Sequence, residues 1–454
     1  MSEKRPRQLG IWMLTALVAG NMIGSGVFLL PASLASIGSI SLISWVFTTI
    51  GAFMLGLVFV YLSRMLPKTG GPYAYAHAGY GQFIGFQTAY SYWIQLWIGN
   101  AAIVVALVGY LEVFFPELSG NVPLRLTIAI GIVWLLTIVN AFGVREAGIV
   151  QLVTTILKII PLGFVAILGW FFITPEYFTD HVNVTSDPPL SDYSAISLAA
   201  TMTLWAFIGL ESATVPADSV ENPKRNIPRA TIIGISIAAI IYIAGSMAVI
   251  GIVPNAELQA STSPYADAAA VIFSHLEVGS FAPGEFGRWF IALGAIISCF
   301  GCLNGWILLQ AQVPMAAARD HLFPKFFAKR TSRGVPIYGL IFTSFLITGL
   351  LLLTSDERLV KQFEMIILLA VLSSLMPYLY TSMSLLILRK RYHEQTKAQV
   401  VVAILAAIYI LWAIFSAGQE LLFYGCMIFF SSIPLYGLFL SRRAAEIKEV
   451  IVES

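Results

Sequence analysis

The chain is a succession of long apolar runs joined by short polar connectors. Twelve runs, centred near residues 22, 52, 99, 133, 160, 205, 241, 300, 345, 372, 407 and 430, approach the length of about 20 apolar residues that a helix needs to cross a bilayer. The third and eighth are longer than a crossing requires, which predicts tilt or projection beyond the membrane. Connector 174–193 contains acids and prolines but neither Lys nor Arg. Connector 254–284 includes STSPYADAAAVIFSHLEVG, where Ser263-Pro264 predicts the start of a short helix, because proline suits the first helical position. His275, near its end, reads as an exposed helix residue rather than a ligand. No segment reads as a soluble domain. Residues 441–454, with Arg442, Arg443, Glu446, Lys448 and Glu449, read as a solvated tail.

Composition supports the pattern. Of 454 residues, 58% are hydrophobic and 11% charged, against roughly 45–50% and about 25% in soluble domains. An all-α membrane protein is predicted, with lipid as its main solvent. Lys4, Arg5 and Arg7 lead into the first run with no small-residue cleavage site after it, so that run reads as a retained span. With the N-terminus inside, every Lys and Arg except Arg125, Arg288, Arg358, Lys361 and the intramembrane Lys158 falls on the inner side, Arg145 and Arg333 included. That asymmetry places both termini in the cytoplasm. A net charge of +2 gives no reason to expect a nucleic-acid partner.

Two stretches break the oily monotony. GNMIGSGVF, residues 20–28, puts three poor helix formers, Gly20, Gly24 and Gly26, inside the first span. Backbone groups facing hydrocarbon are costly, so an interruption there must be buried in protein or line a wet cavity. Close helix–helix packing is the alternative use of the same glycines. The second stretch, LWAFIGLESA at 204–213, carries Gly209 and the acid Glu211 in the sixth span. An ionised carboxylate at mid-membrane costs about 2.5 kcal/mol or more, so it should face a cavity or a partner. Spans one and six are five apart, the spacing of an inverted repeat whose broken helices meet at a substrate site. On this reading the amides of residues 23–26 hold a carboxylate at a half-helix N-terminus. Carbonyls near 205–208 and Glu211 favour a cation. An amino acid with an extra positive charge satisfies both ends.

Other candidates weigh less. Cys299-Phe-Gly-Cys302 has redox or zinc spacing, but its apolar surroundings make both cysteines read as inert filler. Asn183-Val-Thr185 is a common chance sequon. GGPYAYAHAGYG lacks the Lys-Ser/Thr of a phosphate loop and suits a short gating helix. Lys158 either snorkels to the membrane edge or has a functional place within the fifth span. No nucleophile–base pair, metal cluster or nucleotide loop marks an enzyme, and no cofactor is implied.

The stretches GNMIGSGVFLLPASLA, GGPYAYA, YWIQLWIGN, TLWAFIGLESA, ENPKRNIPRAT, GWILL and PYLYT together resemble the amino acid–polyamine–organocation superfamily. Within it, they resemble the basic amino acid/polyamine antiporters, with the arginine/agmatine exchangers nearest in pattern. The resemblance implies a twelve-span fold with a 5+5 inverted repeat: residues 1–172, then 173–396, then two further spans over 397–440. It also implies a homodimer in a bacterial inner membrane. The activity it implies is exchange of a cationic, arginine-like amino acid for its agmatine-like amine, a net export of proton equivalents that supports acid resistance. The alternative on the same fold is a proton-coupled amino-acid symporter.

Position by position, Ile23, Gly24, Ser25 and Gly26 match the family's carboxylate-binding break, with Asn21 just before it. Trp205 and Ile208 match the second break, and Trp306 the aromatic wall along the substrate stem. Asn100 and Phe363 match pocket-lining positions. Tyr92, Glu211 and Tyr378 match a gate, and Tyr73 a position linked to pH response. Gln95 and Leu96 stand where the arginine exchangers have small residues, Ile103 replaces a methionine and Ala370 a serine, which predicts a shorter substrate or a different headgroup. His77 aligns with an acid of the ornithine/putrescine exchangers, which argues against a pure diamine carrier. In some relatives a lysine in the fifth span takes the place of a sodium ion, a role open to Lys158.

Overall fold

The computed structural model describes residues 9–142, 144–185, 189–275, 283–331, 334–355, 358–394 and 396–439. Lys4, Arg5, Arg7, Arg333 and the expected tail at 441–454 lie outside them, as does the side chain of Arg145. Among the described residues the fold is helical, with one isolated bridge between Leu9 and Val220. In chain order the helices are α1 (Ile11–Met22), α2 (Ser25–Ala35), α3 (Leu42–Met65), α4 (Pro72–Tyr80), α5 (Gln82–Leu111), α6 (Val122–Ala141), α7 (Val144–Leu168), α8 (Glu176–Thr179) and α9 (Asp192–Phe207). They continue with α10 (Pro223–Ile252), α11 (Asn255–Ala260), α12 (Pro264–Ser274), α13 (Pro283–Arg319), α14 (Ile337–Leu353), α15 (Leu359–Arg391), α16 (Lys397–Ser416) and α17 (Gln419–Phe430).

Among the described residues, eleven segments are long and apolar enough to cross a membrane. The ninth expected span, α14, is shorter at 17 residues, about 25 Å of helix. The two runs expected to overshoot are α5, with 30 residues, and α13, with 37. The broken first span and α5 are nearly sheathed by protein, whereas α6 and the last span are mostly open to their surroundings. Outward-facing Ile43, Val46, Ile50, Ile138, Ile156, Ile160 and Phe345 give the bundle an apolar exterior, as expected where the solvent is lipid.

Hydrophobic association is weak between helices in lipid, so buried polar pairs help to fix their register. Thr137 and Ser344 hydroxyls lie 2.7 Å apart between α6 and α14. Thr48 meets Thr203 at 2.8 Å between α3 and α9. Asn100 donates to Gln310 at 2.6 Å, tying α5 to α13. Charged pairs sit at the bundle's ends: Arg125–Glu112 and Arg288–Asp267 on the face that carries α12, and Lys68–Asp320 on the face that carries α4. The short helix expected from Ser263-Pro264 is α12, and His275 follows it as an exposed C-cap.

Candidate functional site

The first span is interrupted as its glycines predict. Helix α1 ends at Met22, and α2 begins at Ser25 with no side-chain cap. A Cβ on Gly24 would come within 2.4 Å of Cys302 Sγ, so α13 closes on the break at a distance only glycine permits. The sixth span breaks after Phe207. There Gly209 has φ +116°, a conformation L side chains rarely adopt. A Cβ at Gly209 would lie 3.0 Å from the Trp306 ring and 3.3 Å from Asn21. The two breaks therefore touch each other.

The freed backbone groups are sorted by side. The Ile23 and Gly24 amides are consumed locally by Ala19 and Met22 carbonyls at 2.8 and 2.9 Å. This corrects the expectation that amides from residue 23 onward open into the pocket. The open donors are the uncapped first-turn amides of α2, from Ser25 onward, which is where the positive end of a helix dipole lies.

The carbonyl ends turn the other way. Lys158 is fully buried on α7, and its Nζ donates to Gly20 O at 2.9 Å and Ile23 O at 2.7 Å. Ser298 Oγ also donates to Ile23 O, at 3.2 Å. Cys302 Sγ and Trp306 Nε1 both donate to Asn21 O, at 3.2 and 3.1 Å. Lys158 thus does not snorkel; its ammonium neutralises the negative end of α1. At the second break Ala206 O accepts from Tyr242 at 2.9 Å. Trp205 O and Phe207 O are taken by turns from Ile208 and Leu210. Of the carbonyls near 205–208 expected to favour a cation, those of Trp205, Ala206 and Phe207 are already satisfied, because the chain curls back on itself there.

The pocket between the breaks is lined by Asn21, Met22, Gly24, Ser25, Gly26, Ile103, Trp205, Ile208, Cys302 and Trp306. Its enclosed volume is about 10 Å³, on the order of room for one water. Admission of an amino acid requires the pocket to widen. Trp205 Nε1 reaches Ser25 Oγ at 3.3 Å. Asn21 joins both breaks: its Nδ2 donates to Ser212 Oγ at 3.0 Å, and its Oδ1 accepts from Gln151 at 3.2 Å.

Several residues expected in the pocket are buried outside its lining. Ile23 contributes its carbonyl to Lys158, and Asn100 is engaged with Gln310. Gln95 is packed close to Gly99, against which Trp205 also lies. Leu96, Phe363 and Ala370 are core residues of α5 and α15. Cys302, expected to be inert filler, lines the pocket, and Met22 does so unforeseen.

Glu211 lies beside the second break, fully buried. Tyr92 of α5 donates to its Oε1 at 2.7 Å. Tyr378 of α15 and the Gly209 amide donate to Oε2 at 2.8 and 3.2 Å. No Lys or Arg pairs with it among the described residues. The acid joins three elements beside the pocket without a counter-ion.

A second polar cluster stands at the α4 face. Asp320, just past α13, accepts from Tyr73 at 2.7 Å and Lys68 at 3.2 Å, and faces His77 Nδ1 at 3.6 Å. Burial opposes the Asp320 charge, but these donors and the nearby cations outweigh it and hold the carboxyl below its ordinary value. Burial pushes the His77 imidazole down, against the pull of Asp320. The tie clamps α4 to the end of α13.

Two interrupted spans five apart, touching at a closed polar pocket inside a helical membrane bundle, define a transporter of the amino acid–polyamine–organocation type. The amino acid permease family model matches residues 9–443, and the chain belongs to that family. The putrescine transporter PotE of Escherichia coli K12 is 36% identical over 443 residues, 96% of this chain and 97% of its own. PotE of Haemophilus influenzae is 37% identical over 96% of this chain and 98% of its own. The cadaverine/lysine antiporter of Escherichia coli K12 is 36% identical over 84% and 83%. These relatives are transporters of basic amino acids and polyamines, and the chain is a multi-pass membrane protein of their kind. Their names point to cationic amino acids and amines rather than to arginine and agmatine in particular.

Proposed function

We propose that the protein exchanges a cationic amino acid for its decarboxylated amine by alternating access, with both termini in the cytoplasm and the α4 face inward. The observation that carries this reading is the polarised break. Ser25 and Gly26, in the uncapped first turn of α2, line the pocket, while the carbonyl end of α1 is neutralised by Lys158. A carboxylate is attracted from one side, and Glu211, without a basic partner, attracts a cationic end from the other. Trp205 and Trp306 line the space between, where cation–π contact contributes roughly 0.5–2 kcal/mol per ring. Arginine/agmatine, lysine/cadaverine and ornithine/putrescine are the candidate pairs. Gln95 and Leu96, larger than the small residues of the arginine exchangers, favour the two shorter ones.

The test is counterflow in proteoliposomes. Uptake of labelled lysine, ornithine or arginine should require one of these amino acids or amines inside. Uptake into empty vesicles at the full rate removes the exchange reading. The lack of a counter-ion at Glu211 also suits a proton carrier, the symport alternative. Accumulation driven by an inward proton gradient alone would establish that instead.

A further inference from the structure

A recess of about 160 Å³ opens on the α4 face, separate from the pocket between the breaks. Its inner wall is Leu308 and Leu309 of α13. Leu309 follows Trp306 by three residues, about 4.5 Å along the helix axis. Pro216, Asp218 and Ser219, shortly after Glu211 in sequence, form another wall with Thr69 and Gln312. The recess thus lies farther along α13 than the pocket between the breaks, toward this face.

Its charge is unusual for the path of a cationic cargo. Arg319 and Arg330 both line it, close enough for each to act electrostatically on the other, with Asp218 as the opposing charge. Neither arginine has a carboxylate at ion-pair distance among the described residues. Arg330 Nε instead donates to the Met315 thioether at 3.1 Å, a weak acceptor. Nearby Asp320 is occupied by Lys68 and Tyr73. Two guanidiniums lining one cavity, neither of them ion-paired to the acid beside them, form a ready carboxylate clamp.

We propose that this recess is an accessory site for the α-carboxylate of the amino-acid substrate at the cytoplasmic mouth, with Arg319 and Arg330 holding the carboxylate and Asp218 the adjacent ammonium. It deepens the exchange reading and rests on it. The amine product lacks the carboxylate, so the recess attracts one member of the exchanged pair and repels the other. The mouth then sorts cargo by the same group that decarboxylation removes.

The test uses the full-length protein in vesicles of known orientation, with half-saturation measured at the α4 face for lysine and for cadaverine. The Arg319→Gln/Arg330→Gln double variant should shift the lysine-to-cadaverine ratio about three- to tenfold toward the amine, the scale of two exposed charge contacts. The shift should shrink as salt rises to about 0.3 M. Arg319→Lys/Arg330→Lys should restore most of the ratio, and Asp218→Asn should weaken the amino acid as well. A double variant whose ratio equals the wild type, or whose lysine and cadaverine values move together, overturns the proposal. Failure of the exchange reading looks different: the wild type itself would transport without a counter-substrate.

Discussion

Replacing Lys158 with methionine keeps an unbranched side chain one atom shorter and removes both donated bonds. Each such charge-assisted bond contributes about 1.5–3 kcal/mol. The two acceptors are not equally exposed to the loss. Ile23 O keeps Ser298 at 3.2 Å. Gly20 O does not have its regular helical donor, because the Gly24 amide is bonded to Met22 O. One buried carbonyl is therefore orphaned, at about 1–3 kcal/mol. Removing a desolvated ammonium works in the opposite direction, so overall stability is a poor readout.

The effect of Lys158→Met should concentrate on the geometry of the break. A bias of about 2 kcal/mol is roughly thirtyfold in the balance between two arrangements of α1 and α2. Cys302 reports it, because its Sγ sits on Asn21 O in the pocket wall. In a Cys299→Ser/Cys426→Ser background, a small thiol reagent should label Cys302 at least tenfold faster in Lys158→Met, while exchange falls at least tenfold. Lys158→Ser should leave Gly20 O, Ile23 O and Ser298 Oγ as hard oxygen ligands, so sodium should slow the labelling again. Unchanged labelling and unchanged exchange in Lys158→Met would refute the idea that this ammonium fixes the geometry of the break.

Gly209→Ala places a Cβ at φ +116° and 3.0 Å from Trp306. Strain of about 1–3 kcal/mol should abolish counterflow, and a near-normal rate would show that the second break adapts. Glu211→Gln keeps a bonding side chain between Tyr92 and Tyr378 but removes the charge. Half-saturation for cationic substrates should rise at least tenfold in flux assays, and retained affinity would remove Glu211 as the attracting group. Asp320→Asn tests the α4 tie. Because its carboxyl is held below its ordinary 3.8, its contribution is fully present above that pH and is lost only as pH falls through the lower folded value. A melting-temperature gap between wild type and variant should persist from pH 7 to about 4 and close below; a gap that closes near pH 6 would point to His77. Gln95→Ala with Leu96→Cys should free volume on α5 and move preference toward arginine in a competition assay, whereas an unchanged ranking would show that neither position selects.

Some of this architecture is legible in one dimension because its cost is local. A glycine in an oily run, or an acid such as Glu211 in a span, is expensive wherever the rest of the chain goes, so Gly24 and Gly209 announce both breaks. The direction of the freed groups is not local. The amides of 23 and 24 are used up by a tight turn, and the carbonyls at 205–207 by curling and by Tyr242, neither of which a residue string specifies. Lys158 looks equally suited to snorkelling until its distance to Gly20 is known, across 138 positions of sequence. Cys302 is the same case in reverse: its apolar neighbours suggest filler, yet the absence of a Cβ at Gly24 draws its sulfur into the pocket wall. Ser298, Gln151 and Asp320 carry no sequence signal at all, being ordinary polar residues that matter only through what they face.

These misses share a cause that bears on mechanism. What makes the site polar is less the two breaks than the flanking helices α7 and α13, which neutralise one side of the first break and leave the other open. A pair of interrupted helices alone would present donors and acceptors together and attract ions of either sign. Lys158, Ser298, Cys302 and Trp306 remove the acceptors of α1, so the pocket acquires a sign. Any movement that carries α1 and α2 away from α7 and α13 must therefore release those carbonyls, and the sign of the site would weaken at the moment the cargo leaves. On the proposed exchange cycle, coupling between release and helix movement would need no separate latch, because the contacts that give the pocket its sign are the ones that an opening movement breaks.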